Sequence, residues 1–196
     1  MLFRSTIALK PHMGLTATSW EQLDTLARIG SPAVRACYDG GNVHYYEGLS
    51  PEEDLKEIAA LRQLLESHAI EQSFASGDVE WEGHVVSAHH KLFSMEQRMK
   101  AGDCNETELW KRYDWQFHQA LISACGSHAL MDAHGGVFDR YLRYQMLAMS
   151  YRGDIAIDEH RMLLDCALKR DAATACKVLT AHINGGVEHA LAAKAI

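Results

Sequence analysis

The segment from Trp110 to Leu121 reads W-K-R-Y-D-W-Q-F-H-Q-A-L and gives the clearest indication of the fold. Its apolar side chains recur at the i, i+3, i+4, i+7 spacing of one face of an α-helix. Asp114 and His118 lie on that same face, four residues apart. Because most of the face is apolar, we expect it to face a core and to bury both polar side chains. A buried carboxylate costs several kcal/mol unless it is paired or bound to a cation, so the interior must supply a partner.

Helical patterns continue on both sides of this stretch, from residue 50 onward. The first predicted helix begins with the capping box Ser50-Pro51-Glu52-Glu53, in which serine is the N-cap and proline takes the first helical position. It is predicted to run to about Ser73 and to bury Leu55, Ile58, Leu61, Leu65 and Ala69. The other helices are predicted over residues 78–101, 105–126, 127–150 and 154–170, and from 171 onward.

The order of these segments predicts an all-α fold. Their connections are short, and no segment after residue 50 alternates with the period of a β-strand. We therefore predict an antiparallel bundle of about six helices with an internal metal or ligand cavity, formed by residues 50–196. Residues 1–49 show no sustained period apart from a short helix expected over 20–29, and we interpret them as a short irregular segment.

Composition narrows the class of protein. The 196 residues carry a net charge of −7, which argues against a generally basic nucleic-acid binder. No run of about 18 apolar residues is present, so no membrane-spanning helix is expected. The five cysteines form no C-x-x-C pair, which favours reduced thiols in the cytoplasm. The signatures H-E-x-x-H, G-x-S-x-G, the P-loop and G-x-G-x-x-G are missing, so we do not predict an enzyme.

Two more histidines repeat the anomaly of the Trp110–Leu121 stretch. His160 lies on the apolar face of the fifth predicted helix, and His182 lies on that of the sixth. One Asp and three His on core-facing stripes suit a divalent transition metal, with Zn²⁺ favoured and Ni²⁺, Mn²⁺ or Fe²⁺ as alternatives. The competing interpretation is that each histidine is a hydrogen-bonded core residue. His134, which lies beside two glycines, is not predicted to be a ligand.

Arg62 lies beside the apolar stripe of the first predicted helix. Its side chain either runs along the core with its head in water or turns its guanidinium into the cavity to bind a carboxylate ligand. Arg143, in D-R-Y-L-R-Y, is a further candidate for that second role. Tyr113 is a candidate for the cavity wall, although aromatic residues at helical spacing usually belong to the core.

Three motifs carry a resemblance to a known family. The segments A-L-R-Q-L-L-E, D-W-Q-F-H-Q-A-L-I-S-A-C-G-S and D-E-H-R-M-L-L-D-C-A-L-K-R-D occur in that order, followed by a late A-H-I. Together they resemble the C-terminal ligand-binding domain of GntR-type transcription regulators of the FadR-like subgroup, called the FCD domain, over residues 50–192. The resemblance implies a metal held by Asp114, His118, His160 and His182, and a small carboxylate metabolite bound beside it with Arg62. It also implies a homodimer whose effector changes the grip on DNA.

The N-terminal 49 residues depart from the family pattern. The family carries a longer winged helix-turn-helix there, with a basic recognition helix. In this chain S-P-A-V-R, from Ser31 to Arg35, echoes that motif, but the glycines that follow do not continue a helix. We interpret residues 1–49 as a truncated or degenerate winged helix-turn-helix segment. Arg28 and Arg35 are its candidate DNA contacts.

Three functions remain in competition at this point. The first is a metabolite-sensing transcription regulator, in which a carboxylate completes the coordination of the metal and shifts the geometry of the dimer. The second is a metal-dependent enzyme acting on a small organic acid. The third is a remnant that dimerises and does not bind DNA.

Overall fold

The structure is a computed structural model of the chain, and it describes residues 7–9, 19–31, 34–36, 50–102, 107–147 and 151–193. The chain divides into two compact units, residues 1–54 and residues 55–196.

The described part of the first unit contains one helix and two short strands. Strand β1 spans Ile7–Leu9, helix α1 spans Ser19–Ile29, and strand β2 spans Val34–Ala36. The strands pair in parallel, with Ile7 opposite Val34. Gly30 ends α1 at a φ of 62°, a left-handed conformation that favours glycine. The helix expected over 20–29 is confirmed, whereas the two strands were not predicted.

Six further helices follow in the part of the chain that is described from residue 50 onward. Their bounds are α2 Pro51–Ser76, α3 Val79–Lys100, α4 Thr107–Ile122, α5 His128–Leu147, α6 Asp154–Lys169 and α7 Ala172–Ala192. Helix α3 packs against α4 and α6, and α6 packs against α7. The all-α antiparallel bundle is therefore confirmed. None of the described helices is long and apolar enough to cross a membrane.

Side-chain caps define where several of these helices begin. The Ser50 hydroxyl accepts a hydrogen bond from Glu53 N at 3.1 Å, and Ser50 N donates to the Glu53 carboxylate at 3.2 Å, which is the predicted capping box. Asp78 accepts from Trp81 N at 2.8 Å, and Asp171 accepts from Thr174 N at 3.0 Å. The predicted opening at Asn105 lies outside the described residues.

The buried face of α2 differs from the predicted one by about one residue. Leu61 was expected in the core, but it is 43% exposed, whereas Arg62 and Glu66 are buried. The reason is that these two side chains form an ion pair, with Arg62 Nε 2.9 Å from Glu66 Oε2. A charged pair that satisfies itself can occupy core positions that hydrophobicity alone assigns to leucine.

Helix α5 continues through Gly135 and Gly136, although each glycine weakens a helix by about 1 kcal/mol relative to alanine. Packing compensates for this weakness, because His134 and Phe138, on either side of the glycines, are both fully buried. The segment that looked weakest in the sequence thus contributes two side chains to the centre of the bundle.

Candidate metal and ligand site

Four side chains from three helices converge in the centre of the bundle. Asp114 and His118 come from α4, His160 from α6 and His182 from α7, and all four are buried. Each offers one potential ligand atom, and these four atoms all lie within 4.8 Å of one another. The i, i+4 spacing on α4 places the first two on one face of that helix, as the sequence indicated.

A glutamate lies behind each of the three imidazoles. His118 Nδ1 contacts Glu66 Oε1, His160 Nδ1 lies 2.7 Å from Glu96 Oε1, and His182 Nδ1 lies 2.8 Å from Glu159 Oε2. At His118 and His160 this carboxylate selects the tautomer that carries its proton on Nδ1 and leaves the Nε2 lone pair free, whereas Nδ1 of His182 also lies 3.0 Å from Arg152 Nη2. This arrangement recurs behind metal-binding histidines because it fixes the ring and raises its basicity.

The residues fit a divalent transition metal. His118 Nε2 and His160 Nε2 are buried and have no hydrogen-bond partner among the described residues. Nε2 of His160 lies 3.3 Å from Asp114 Oδ1, and Nε2 of His118 lies 4.0 Å from the same oxygen. Buried polar atoms are nearly always paired, so two buried nitrogens without a hydrogen bond beside one carboxylate are positions that could bind a cation. Three imidazoles and one carboxylate are also a donor set that such metals accept.

The electrostatics differ from ring to ring. Burial alone would lower the pKa of His160, but the carboxylates of Asp114 and Glu96 outweigh it and raise that pKa to about 9. Burial lowers the pKa of His182 to about 3, and the neighbouring His160 and His118 add to the effect. The carboxylates around His160 thus favour a positive charge on that ring, whereas burial favours the neutral form of His182.

Both carboxylate oxygens of Glu66, which lies beside the site, have partners. Its carboxylate contacts His118, accepts from Arg62 Nε at 2.9 Å, and lies 3.1 Å from His134 Nε2. Gln119 Nε2 lies 2.8 Å from His134 Nδ1, which leaves the His134 proton on Nε2 for Glu66. His134 is outside the group of four potential metal ligands found among the described residues, and it is buried in the core.

A small cavity adjoins the four potential metal ligands, which we call the ligand cluster. Its volume of about 30 Å³ is room for about two water molecules. Three cationic side chains, Arg62, Lys111 and Arg152, line it together with Asp114, His160 and His182. Arg152 is held in place by Glu159, which it contacts at 2.5 Å and 3.3 Å. The remaining lining residues are Trp110, Tyr141, Gln145, Ala156 and Gly186.

Polar groups in the cavity wall are left without partners. Arg62 Nη2 and Trp110 Nε1 are both buried and make no hydrogen bond within the described residues, although the Arg62 guanidinium also stacks over the rings of Phe138 and Tyr141. Arg62 is only 1% exposed, so the alternative that its head reaches water does not hold. Unpaired donors in the cavity wall favour a ligand that carries hydrogen-bond acceptors, such as a carboxylate.

Other predicted site residues lie elsewhere. Arg143 is exposed and does not line the cavity, because Tyr141, Tyr144 and Gln145 define the inward face of α5 and residue 143 falls on the other side. Tyr113 is half-buried and packs at the edge of the core, also away from the cavity. In the first unit, Arg28 is exposed and lies 3.9 Å from Asp24, and the side chain of Arg35 is outside the described residues.

Sequence reasoning missed the glutamates behind the rings and two cavity cations, namely Glu66, Glu96, Glu159, Lys111 and Arg152. Two of them did leave a signal in the sequence. Glu66 follows Arg62 by one helical turn, and Glu96 directly follows Met95 in the apolar stripe of α3. Acidic residues beside an apolar stripe are usually solvated, so they gain significance only once a buried imidazole is seen opposite them.

Comparison with known families decides the relationship. Residues 57–185 match the family model of the FCD domain. The chain belongs to the FCD domain family. A solved structure described as the metal-free FCD domain of TM0439 has the same fold, with a TM-score of 0.60 and 17% identity, covering 75% of this chain and 98% of that one.

Two curated relatives of this FCD chain are regulators. It is 35% identical over 137 residues to the uncharacterized HTH-type transcriptional regulator BphR of Paraburkholderia xenovorans, which covers 69% of this chain and 56% of BphR. It is 29% identical over 141 residues to the HTH-type transcriptional repressor GlaR of Escherichia coli, which covers 67% of this chain and 62% of GlaR. The chain thus spans about six tenths of the length of these relatives.

Proposed function

We propose that this chain is the sensory part of a metabolite-responsive transcription regulator. In this proposal Asp114, His118, His160 and His182 hold a divalent transition metal, with Zn²⁺ favoured over Ni²⁺, Mn²⁺ and Fe²⁺. The observation that carries the proposal is that all three imidazoles have Nδ1 on a glutamate, and that Nε2 of His118 and of His160 is buried without a hydrogen bond among the described residues. The bound ion would supply a Lewis-acid centre that attracts an anionic ligand.

The effector is a small carboxylate in this proposal. Support comes from Arg62, Lys111 and Arg152 in the cavity wall, and from the unpaired Arg62 Nη2 beside them. Glu66 holds Arg62 through Nε, so the outer nitrogen stays available to the ligand. The cavity cations would orient the carboxylate, and Tyr141 and Trp110 would exclude water around it.

The output of the proposed sensor is a change in DNA binding by a homodimer. Support comes from the relatives, which are HTH-type regulators. A bound effector would change DNA binding by favouring one of two arrangements of the dimer. Helix α1 with Arg28, and the neighbouring Arg35, are the DNA contacts we propose in this chain. The same relatives favour a regulator over a metal-dependent enzyme.

Metal content tests the core of the proposal. After dialysis against Zn²⁺ and then against metal-free buffer, elemental analysis is expected to find one ion per chain. The double variant His118→Ala with His160→Ala is expected to retain none. The matched control, His84→Ala with His128→Ala, removes two exposed histidines and is expected to retain the ion. Equal metal content in both double variants would show that the site does not exist.

Ligand and DNA binding test the rest of the proposal. Zinc-loaded protein is expected to melt at a higher temperature with at least one member of a panel of monocarboxylates, dicarboxylates and sugar acids. The absence of any shift across the panel would contradict the sensor. In a gel-shift assay with DNA from upstream of the gene, Arg28→Ala and Arg35→Ala are expected to weaken binding, and a chain that shifts no DNA contradicts the output.

A further inference from the structure

A second concavity lies on the surface between α4 and α5. It has a volume of about 470 Å³ and is lined by Glu108, Lys111, Arg112 and Trp115 of α4 and by Asp139, Leu142 and Met146 of α5. We call it the α4–α5 groove. Its floor includes the apolar side chains of Trp115, Leu142 and Met146, and charged residues lie around them. Of the side chains in and around the metal cavity, Lys111 also lines this groove, whereas the potential metal ligands, Arg62 and Arg152 do not.

Lys111 is common to the walls of the α4–α5 groove and of the metal cavity. The residue is 7% exposed, and its Nζ lies 4.1 Å from the centroid of the Trp110 ring. No carboxylate forms an ion pair with Nζ among the described residues. Lys111 therefore contributes to the walls of both the cavity and the groove. Its ammonium group, on a flexible side chain, contacts the Trp110 ring and forms no ion pair with a described carboxylate.

The size of the metal cavity limits what fits inside it. About 30 Å³ accommodates a carboxylate group but not a longer molecule. Any further part of a ligand bound at the metal must leave the cavity, and Lys111 is the lining residue that the cavity shares with the groove. That side offers the ring of Trp115 and the chains of Leu142 and Met146, which favour an apolar substituent.

The charges around the cavity favour a ligand with a single negative charge. Three cationic side chains, Arg62, Lys111 and Arg152, oppose four carboxylates, Glu66, Glu96, Asp114 and Glu159. A divalent ion bound by neutral imidazoles would bring the formal positive charges to five against four. One carboxylate group on the ligand neutralises the remainder, and a second one would leave an excess of buried negative charge.

We propose that the effector is an amphipathic monocarboxylate whose head lies in the metal cavity and whose apolar tail passes Lys111 into the α4–α5 groove. This inference rests on the proposed function and names the class of its ligand. The carboxylate meets Arg62 and Lys111, and the tail covers Leu142 and Met146. Lys111 stays beside the carboxylate when its stem moves aside, since its ammonium prefers the anion to the Trp110 ring.

Isothermal titration of the zinc-loaded full chain tests the inference with straight-chain acids from acetate to hexanoate. Burying one methylene improves affinity by up to about fourfold, so hexanoate is expected to bind at least about tenfold more tightly than acetate. Adipate, which has the same chain length and a second carboxylate, is expected to bind more weakly than hexanoate. Tryptophan fluorescence is expected to change more with hexanoate than with acetate, because only the longer tail reaches Trp115.

The ratio of the hexanoate and acetate affinities measures how much the groove contributes to binding of the tail. Leu142→Glu is expected to reduce this ratio to below about threefold, since a carboxylate then lies where the tail would pack. Met146→Glu serves the same purpose if the first variant does not fold. Leu64→Glu, at a 67% exposed leucine on α2, is the matched control and is expected to keep the ratio of the unmodified chain.

The outcomes separate the two proposals. If acids bind with no dependence on chain length, or if both groove variants keep the ratio, the groove inference is overturned and the metal–carboxylate sensor stands. Adipate binding as tightly as hexanoate also overturns the inference. If no acid binds to the zinc-loaded chain, the carboxylate sensor itself fails.

Discussion

Two polar regions lie side by side in the same helical unit and are satisfied to different degrees. Around Glu66, every carboxylate oxygen has a partner, supplied by Arg62, His118 and His134. In the ligand cluster a few ångströms away, the Nε2 atoms of His118 and His160 have none within the described residues. A buried polar network in which every group is paired stabilises the fold, whereas one that leaves several neighbouring atoms unpaired is better suited to bind a ligand. The difference separates scaffold from site.

The largest expected effect comes from breaking the complete network. Glu66→Gln leaves the buried guanidinium of Arg62 without a carboxylate, and removing one partner of a buried pair costs about 3–5 kcal/mol. The free energy of unfolding of the metal-free protein, measured in urea, is expected to fall by that amount. Zn²⁺ affinity is expected to fall by about 10–100-fold as well, because the ring of His118 loses its support.

Glu57→Gln is the matched control for that experiment, since Glu57 is exposed on the same helix. It is expected to leave both stability and affinity within error. A Glu66→Gln protein that is as stable as the Glu57→Gln protein would mean that the Glu66 cluster is not part of the scaffold.

The opposite pattern is expected when only the incomplete network is broken. His118→Asn keeps an amide donor near the position of Nδ1 for Glu66 and removes Nε2. The smaller side chain leaves a void that costs about 1–2 kcal/mol of metal-free stability. Zn²⁺ affinity is expected to fall by more than the roughly 10–100-fold typical of losing a supporting partner.

Competition with a chromophoric chelator measures that affinity, and urea denaturation after chelation measures the stability. The comparison of the two regions fails if His118→Asn destabilises the metal-free protein as much as Glu66→Gln does. It also fails if Glu66→Gln weakens Zn²⁺ binding more than His118→Asn does.

The same contrast explains how far the sequence could lead. The ligand cluster was predictable because Asp114, His118, His160 and His182 are polar residues on helical faces that are otherwise apolar. The caps at Ser50, Asp78 and Asp171 were predictable because their signals are local.

The partners of the rings could not be predicted in the same way. Glu96 lies 64 residues from His160, and Glu159 lies 23 residues from His182. Pairs so far apart in the sequence leave no local pattern from which they could be predicted. The prediction that Leu61 is buried was wrong for a similar reason, because Arg62 occupies the core instead. Hydrophobic periodicity cannot predict an ion pair, such as Arg62–Glu66, that is buried only in the folded chain.

A smaller effect is expected at Gly186, where α7 meets the wall of the cavity. A Cβ there would overlap the hydroxyl of Tyr141, which donates to Ile183 O at 3.3 Å. Gly186→Ala is therefore expected to cost about 1–3 kcal/mol by overpacking. Gly136→Ala, where a Cβ would meet nothing within 4 Å, is expected to stabilise the protein by up to about 1 kcal/mol. Thermal melts of the two variants that shift in the same direction would contradict this account of the cavity wall.

Stability is also expected to depend on pH through the complete network. Burial alone would raise the pKa of Glu66, but Arg62, His118 and His134 outweigh it and hold that pKa well below its ordinary value of 4.5. In metal-free protein the contribution of Glu66 is thus fully present above about pH 4.5. It is lost as the pH falls further, because the unfolded chain takes up the proton first. One such group accounts for a slope of about 1.4 kcal/mol per pH unit. Urea denaturation between about pH 4.5 and pH 3 is expected to show a slope that is smaller by that amount in Glu66→Gln than in the Glu57→Gln control. Equal slopes would place the acid sensitivity outside this cluster.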